Sequence, residues 1–352
     1  GRAMLSLFSV AHCFGNPSSQ PADRPDSMRA LDQVAKSAST DAEPLNAASV
    51  RARCEGGDQE ACLAYGLMAM EGQAGVKQDM QKASDVLRTA CNAGNAKACF
   101  FLGRLYDGTV GLDGRGLPRK ASEASHNYRR ACEGGVGQAC FNFAQMLDQA
   151  KVPGDTSQVS DHQLQRRVAK FFGLACANSV AKGCVNLGVM QLDGVGGSSA
   201  SASDAMRTFR VACDMHEGAG CGFAGDLLMQ EMVAGGQSQA ANLYYDGCKY
   251  GNARSCMAQA TMLNQAAVAA AGDGSVKGEH AMHAKARSIM FFRRACELGN
   301  AQGCNRFFKA HDALRILDTR SEDEKSWLSV TPEIADGPRT PESLQKAVYD
   351  KY

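Results

Sequence analysis

The sequence predicts an all-α protein, built as a right-handed α-solenoid of helix-turn-helix repeats that disulfides cross-link. Three observations support this prediction. Fourteen of the fifteen cysteines form seven pairs with seven residues between the two members. Successive pairs begin 37, 41, 44, 37, 35 and 48 residues apart, and a period of this size is typical of two-helix solenoid repeats. The residues around each pair also recur at fixed offsets from the cysteines.

The turn between paired cysteines carries the strongest of these recurring signals. Glycine follows the first cysteine by three residues in five pairs, where it suits a left-handed helix C-cap. The residue after it is Asp58, Asn95, Asn252 or Asn300 in four pairs, and these side chains are good N-caps. We therefore predict that each pair flanks a tight reversal between two helices. The five glycines are Gly57, Gly94, Gly135, Gly251 and Gly299.

A chain reversal would allow each pair to bond. On a straight helix, residues i and i+8 lie about 12 Å apart, whereas a disulfide needs Cα atoms within roughly 4.4–6.8 Å. Free buried thiols and a bound metal are the alternatives, but zinc sites favour cysteines spaced by two to four residues. The predicted disulfides are Cys54–Cys62, Cys91–Cys99, Cys132–Cys140, Cys176–Cys184, Cys213–Cys221, Cys248–Cys256 and Cys296–Cys304. Cys13 stands outside the pattern, as a free thiol, a bond to a partner or a processing remnant.

The same offsets from the cysteines also define two faces of the predicted helices. A large residue stands four positions before the first cysteine, on the stripe that carries the cysteine itself, so we expect a core position rather than a ligand platform. Small residues stand four positions after the second cysteine and suit close helix packing. The large residues are Leu87, Tyr128, Phe172, Phe209, Tyr244 and Phe292; the small ones are Gly66, Gly103, Ala144, Gly188, Gly225 and Ala260.

Composition and turn signals divide the chain into three parts. Residues 1–43 and 317–352 are polar and contain several prolines, so we predict an extended arm at each end. Residues 44–316 would form the solenoid, with about six repeats plus capping helices. Insertions at 107–118, 151–162 and 265–280 predict glycine-rich loops at the edge opposite the cysteine turns, where binding surfaces often lie.

The repeat motifs resemble the Sel1-like repeat family, which is related to the TPR. The motifs that show this resemblance lie in residues 98–108 with 120–135, and in residues 62–94, which include Gly66, Gly72, Asp79 and Ala90. The resemblance covers roughly residues 45–316. Two branches of this family carry a cysteine pair per repeat. Residues 128–135 (YRRACEGG) and 138–143 (QACFNF) look most like the mitochondrial branch, the Sel1-repeat cytochrome c oxidase assembly factors of the intermembrane space. The other branch is secreted and bacterial.

The resemblance implies a non-catalytic scaffold for other proteins. It favours a subunit or assembly factor of a mitochondrial inner-membrane complex, on the intermembrane-space side; a secreted or periplasmic binding protein with weak hydrolase activity is the alternative. We expect the arms and insertion loops to contact the partners. Abundant paired cysteines suit either oxidising compartment. The first residue is Gly1 rather than Met, so the sequence leaves open whether a presequence precedes it.

Other function classes find little support. The net charge is +1 with 21% charged residues, so no overall field draws in nucleic acid. No apolar run reaches the roughly 18 residues of a membrane span. The chain contains no G-x-S-x-G, H-E-x-x-H, P-loop or C-x-x-C motif, so we expect neither an enzyme nor a cofactor. His280 and His283 could share a metal, but a solvated helix junction is the simpler interpretation.

Overall fold

The computed structural model describes residues 46–109, 116–149, 160–197, 199–271 and 278–318. These ranges hold fourteen α-helices and no strand, which confirms the predicted fold class. The helices are α1 (Ala47–Glu55), α2 (Gln59–Glu71), α3 (Met80–Asn92), α4 (Ala96–Asp107), α5 (Ala121–Glu133), α6 (Gly137–Asp148), α7 (Asp161–Ala177), α8 (Ala181–Asp193), α9 (Ala202–Asp214), α10 (Gly218–Met229), α11 (Gln237–Lys249), α12 (Ala253–Ala271), α13 (Gly278–Glu297) and α14 (Ala301–Asp318).

The helices pair into seven hairpins, and each cysteine pair joins the two helices of one hairpin. The described chain divides into two compact units at Thr208 and Phe209, inside α9. In the N-terminal unit, each helix from α1 to α8 packs on the next one along the chain. The C-terminal unit repeats this pattern from α10 to α14. Packing that joins mainly sequence neighbours is the mark of a helical repeat array.

One predicted loop is wrong in part. Residues 265–271 continue α12 and 278–280 begin α13, so the described ends of the insertion at 265–280 are helical rather than glycine-rich loop. The reason is local composition, because residues 266–271 read AAVAAA and alanine is the best helix former. The two elongated helices pack on each other along this hairpin. In the other two insertions, the described residues 108–109, 116–118 and 160 are non-helical, while Asp107 ends α4 and residues 161–162 begin α7.

The large residues of the predicted stripe form the core. Leu87, Tyr128 and Phe209 are completely buried, and Phe172, Tyr244 and Phe292 are at most 4% exposed. Within the N-terminal unit they belong to one hydrophobic core that runs from α1 to α8. Three of the small residues, Gly66, Gly103 and Gly225, accept the large residue of the following hairpin. A Cβ added to Gly103 would lie 2.7 Å from the Tyr128 ring, and one added to Gly225 would lie 2.8 Å from the Tyr244 ring.

Candidate partner-binding surface

The turn that joins the helices of a hairpin has one geometry in all seven cases. The paired sulfurs lie 1.96–2.07 Å apart and the Cα atoms 4.4–4.7 Å apart. The five predicted glycines have φ between 83° and 99°, the left-handed region. Ser179 and His216 take the same position in the other two turns, with φ of 62° each. The reversal therefore persists where the glycine signal disappears from the sequence.

The predicted N-caps and the small residues make this turn possible. Asn95 Oδ1 accepts a hydrogen bond from the Ala98 amide at 2.9 Å, and Asn252 and Asn300 accept equivalent bonds at 2.8 Å. The residue before the second cysteine then faces the residue before the first. A Cβ on Gly183 would lie 2.7 Å from the Ala175 Cβ. The backbones of the two helices can meet here only because both side chains are small.

The outward surface of the first helices carries a row of arginines. Arginine stands three residues before the first cysteine in five hairpins: Arg51, Arg88, Arg129, Arg210 and Arg293. In three of them an acid four residues later pairs with it, since Arg51 Nε lies 2.7 Å from Glu55, Arg293 Nε lies 2.9 Å from Glu297, and Arg129 Nε lies 3.9 Å from Glu133. The sequence analysis missed this row, although its fixed offset from the cysteine is the same kind of signal as the large residue one position earlier.

The second hairpin departs from this row. Asn92 takes the place of the acid, and its Oδ1 accepts a hydrogen bond from Arg130 Nη1 at 3.1 Å. Arg88 instead donates to the hydroxyl of Tyr106, which also lies 2.9 Å from Ser84 Oγ. Lys120 places its Nζ 5.7 Å from the centroid of the same tyrosine ring. Two exposed cations therefore surround one buried tyrosine.

Hydrogen bonds also connect successive hairpins. Arg130 Nη2 donates to the Cys91 carbonyl at 2.8 Å, and Asn95 Nδ2 donates to Glu60 Oε1 at 2.9 Å. The hydroxyl of Tyr128 donates to Asp107 Oδ2. Burial and the nearby Asp107 carboxylate raise the pKa of Tyr128. These groups fix the register between neighbouring repeats and show no arrangement that would activate a nucleophile.

The C-terminal unit contains a partly buried carboxylate, Asp226, whose side chain is 18% exposed. Asp226 Oδ1 accepts from the Tyr244 hydroxyl at 2.8 Å, and its Oδ2 lies 2.7 Å from Arg254 Nη2. Desolvation raises the pKa of Asp226, and the Arg254 cation opposes this rise. Desolvation and the Asp226 carboxylate likewise raise the pKa of Tyr244. The triad ties α10, α11 and α12 together.

The outer side of the C-terminal unit also exposes large apolar residues. Tyr245 is 49% exposed, and its ring meets the Phe291 ring edge-on with the centroids 6.1 Å apart. Met282, Met290 and Val268 lie on α12 and α13 and are 54%, 42% and 66% exposed. Contiguous apolar patches are typical of protein contact sites, and the Tyr245–Phe291 contact joins two apolar rings on this surface.

Several sequence predictions fall outside the described residues. Cys13, the arm 1–43, and 319–352 of the C-terminal arm lie there, as do residues 110–115 and 151–159 of two insertions. The His280 side chain is likewise outside the description. Within the described ranges, no group of three or more His, Cys, Asp or Glu side chains could hold a metal ion. Among the same residues, no helix is both long and apolar enough to cross a bilayer.

Helix hairpins that pack on their sequence neighbours, each with a cysteine pair at its own turn, define a helical-repeat protein. The family model for the Sel1 repeat matches residues 59–95, 96–136, 181–215 and 284–300, and this match supports the Sel1 repeat family for the chain. The first segment runs from the start of α2 to the turn after α3. The family repeat therefore consists of the second helix of one hairpin and the first helix of the next.

Three solved structures align with the chain at low identity. A Sel1 repeat protein from Oxalobacter formigenes is 17% identical, with a TM-score of 0.49, over 70% of this chain and 97% of that one. The protective antigen c5321 of uropathogenic Escherichia coli, with an SLR fold, is 18% identical at a TM-score of 0.43, over 88% and 65%. The immunity protein Pa5087 from Pseudomonas aeruginosa is 12% identical at 0.36, over 79% and 84%. No curated protein matches the sequence.

Proposed function

We propose that this chain is a non-catalytic scaffold that binds other proteins in an oxidising compartment. The observation that carries the proposal is the row of hairpins, which repeats an outward set of charged side chains on a buried, cysteine-paired frame. Such arrays offer an extended surface to a partner, and each repeat adds a small contact. The Arg88 and Tyr245 regions supply charged and apolar contacts of the kinds that protein interfaces use.

Within this role, we propose a subunit or assembly factor of a mitochondrial inner-membrane complex, on the intermembrane-space side. The support is the resemblance of residues 128–143 to the mitochondrial branch. Paired cysteines fit that compartment, which permits disulfides. They fit a secreted or periplasmic location equally well, so the binding protein of that kind is the second candidate.

The test is purification of the native protein from gently solubilised membranes, with free thiols blocked and no reductant, followed by mass spectrometry of the co-purifying proteins. Stoichiometric recovery with inner-membrane complex subunits is the expected result. Recovery alone from a soluble or secreted fraction would refute the mitochondrial role and favour the second candidate. Hydrolase turnover that survives purification and disappears with a single point substitution would refute the non-catalytic role.

The predicted disulfides are tested on the same material. Free thiols are blocked with one reagent before reduction and with a second reagent after it. The fourteen paired cysteines should react only with the second reagent, and the reagent found on Cys13 shows whether that thiol is free. Digestion between the cysteines should then give peptides linked eight residues apart. Linkages between different hairpins, or fully reactive thiols, would contradict the proposed pairing.

A further inference from the structure

We propose that Arg88, Lys120 and the Tyr106 hydroxyl form a subsite for carboxylate side chains of an acidic segment in a partner protein. This inference rests on the proposed binding role and names the chemistry of the partner. It begins from the difference between Arg88 and three of the other four arginines of the row. Arg51, Arg129 and Arg293 each have an acid within 4 Å, whereas Arg88 has none in the described part of the chain.

The neighbours of Arg88 leave its charge uncompensated. The acid expected four residues later is Asn92, and its side-chain oxygen is already used by Arg130. Asp85, one turn earlier on α3, accepts from Gln81 Nε2 at 3.1 Å. The hydroxyl of Tyr106 is a neutral acceptor, so it orients the guanidinium without cancelling its charge. Arginine presents five N–H donors, and one such contact leaves others available for a planar carboxylate.

The position of Arg88 is set by buried groups rather than by solvent. Tyr106 is 5% exposed and Ser84 is fully buried, and the two side-chain oxygens lie 2.9 Å apart. The Tyr106 ring therefore has a fixed orientation when Arg88 contacts its hydroxyl. A guanidinium held in this way loses less conformational entropy on binding than a freely rotating one.

Lys120 adds a second charge to the same place. Its backbone amide donates to the Tyr106 carbonyl at 2.8 Å, which ties the start of α5 to the end of α4. Its Nζ and the Arg88 Cζ lie 5.7 Å and 5.9 Å from the Tyr106 centroid, within the reach of a cation–π contact. Lys120 forms no ion pair among the described residues. Like charges around one buried ring repel each other, and a bound anion relieves that repulsion.

An acidic peptide segment fits this arrangement better than a single small anion. The two cations come from different hairpins, and a peptide can offer a separate carboxylate to each of them. An extended segment places alternate side chains on one face about 7 Å apart. Carboxylates two or four residues apart could therefore meet Arg88 and Lys120 together.

The test uses the full oxidised chain and a fluorescein-labelled peptide of four Glu-Ser repeats, with Gln-Ser repeats as the neutral probe. Fluorescence anisotropy should detect binding of the acidic peptide only, and this binding should weaken as salt rises. The variant Arg88→Gln/Lys120→Gln should bind about tenfold more weakly, the size expected for two partly exposed charge contacts. Circular dichroism checks that the variant remains folded.

The matched control is Arg166→Gln/Lys170→Gln, which removes two exposed cations from α7 in the same unit. It should bind as the unmodified chain does. Equal weakening in the control, unchanged binding in the Arg88 variant, or binding of phosphatidylserine vesicles without binding of the peptide would each overturn the subsite. Recovery of the native protein alone would refute the mitochondrial role while leaving the peptide result standing, so the two failures are distinguishable.

Discussion

The Cys132–Cys140 pair offers the sharpest test of how the fold is stabilised. The perturbation is the double variant Cys132→Ala/Cys140→Ala, in the middle of the N-terminal unit. A sequence separation of 8 closes a short loop, for which chain entropy gives about 2.5 kcal/mol of stabilisation. Both cysteines are at most 5% exposed, so loss of the sulfur contacts adds a cavity cost.

The assay is urea unfolding without reductant, followed by circular dichroism. We expect the transition of the N-terminal unit to fall by about 1 M urea, given a typical denaturant dependence. The variant Cys54→Ala/Cys62→Ala is the control, because among the described helices the first hairpin packs on a single neighbouring hairpin and can unfold locally. It should change the main transition less.

Two outcomes would refute this reasoning. One is a Cys132→Ala/Cys140→Ala variant that unfolds at the same urea concentration as the unmodified chain. The other is a stability difference of the same size after both proteins are fully reduced, because reduction removes the cross-link from both. In that case the cavity, rather than the loop closure, would account for the loss.

Three further perturbations test the turns and the partly buried Asp226 carboxylate. Gly183→Ala should cost about 1–3 kcal/mol in urea unfolding, because the new Cβ would lie 2.7 Å from the Ala175 Cβ; an unchanged midpoint would contradict this packing. Ser179→Gly should raise the free energy of unfolding by about 1 kcal/mol, since glycine tolerates a φ of 62°. A lower free energy of unfolding would contradict this, because it would mean that the serine side chain stabilises the turn. Asp226→Asn tests the raised pKa of that carboxyl: the folded state holds the proton more tightly than the unfolded chain, so the unmodified protein loses stability as pH rises from about 4 through the folded pKa. The variant lacks this loss, and its stability relative to the unmodified chain should increase over that range; a constant gap in urea titrations across these pH values would contradict the desolvation argument.

Repetition made the hairpin predictable from sequence. The left-handed glycines, the Asp and Asn N-caps and the buried large residues recur at fixed distances from the cysteines in five, four and six hairpins, so several copies of a weak local signal support one another. The conformations of Ser179 and His216 could not be inferred in the same way, because their turn is imposed by the hairpin rather than by the residue. The helical run at 265–271 was missed because length variation suggested a loop, while alanine propensity favours helix.

Contacts between hairpins were less accessible to sequence reasoning. The pairing of Gly103 with Tyr128 depends on how one hairpin is placed on the next, which offsets within a single repeat do not reveal. The Arg88 site has a related origin, since Tyr106 comes from the other helix of its hairpin and Lys120 from the next hairpin. The arginine row itself was visible as a recurring residue. Asn92 replaces the acid that follows the arginine in other hairpins. The importance of this replacement became clear only from the structure, where three of those acids pair with their arginines.

The spacing of the cysteine partners also bears on how the chain matures. The number of possible pairings grows steeply with the number of cysteines, and fourteen cysteines could easily oxidise wrongly. Here each partner is eight residues away, across a turn that forms from local contacts. Loop closure over so short a distance takes place within about a microsecond, far faster than disulfide chemistry. Each hairpin can thus select its own partner thiol before distant cysteines compete, and oxidation can follow the chain as it emerges from a ribosome or a translocation pore.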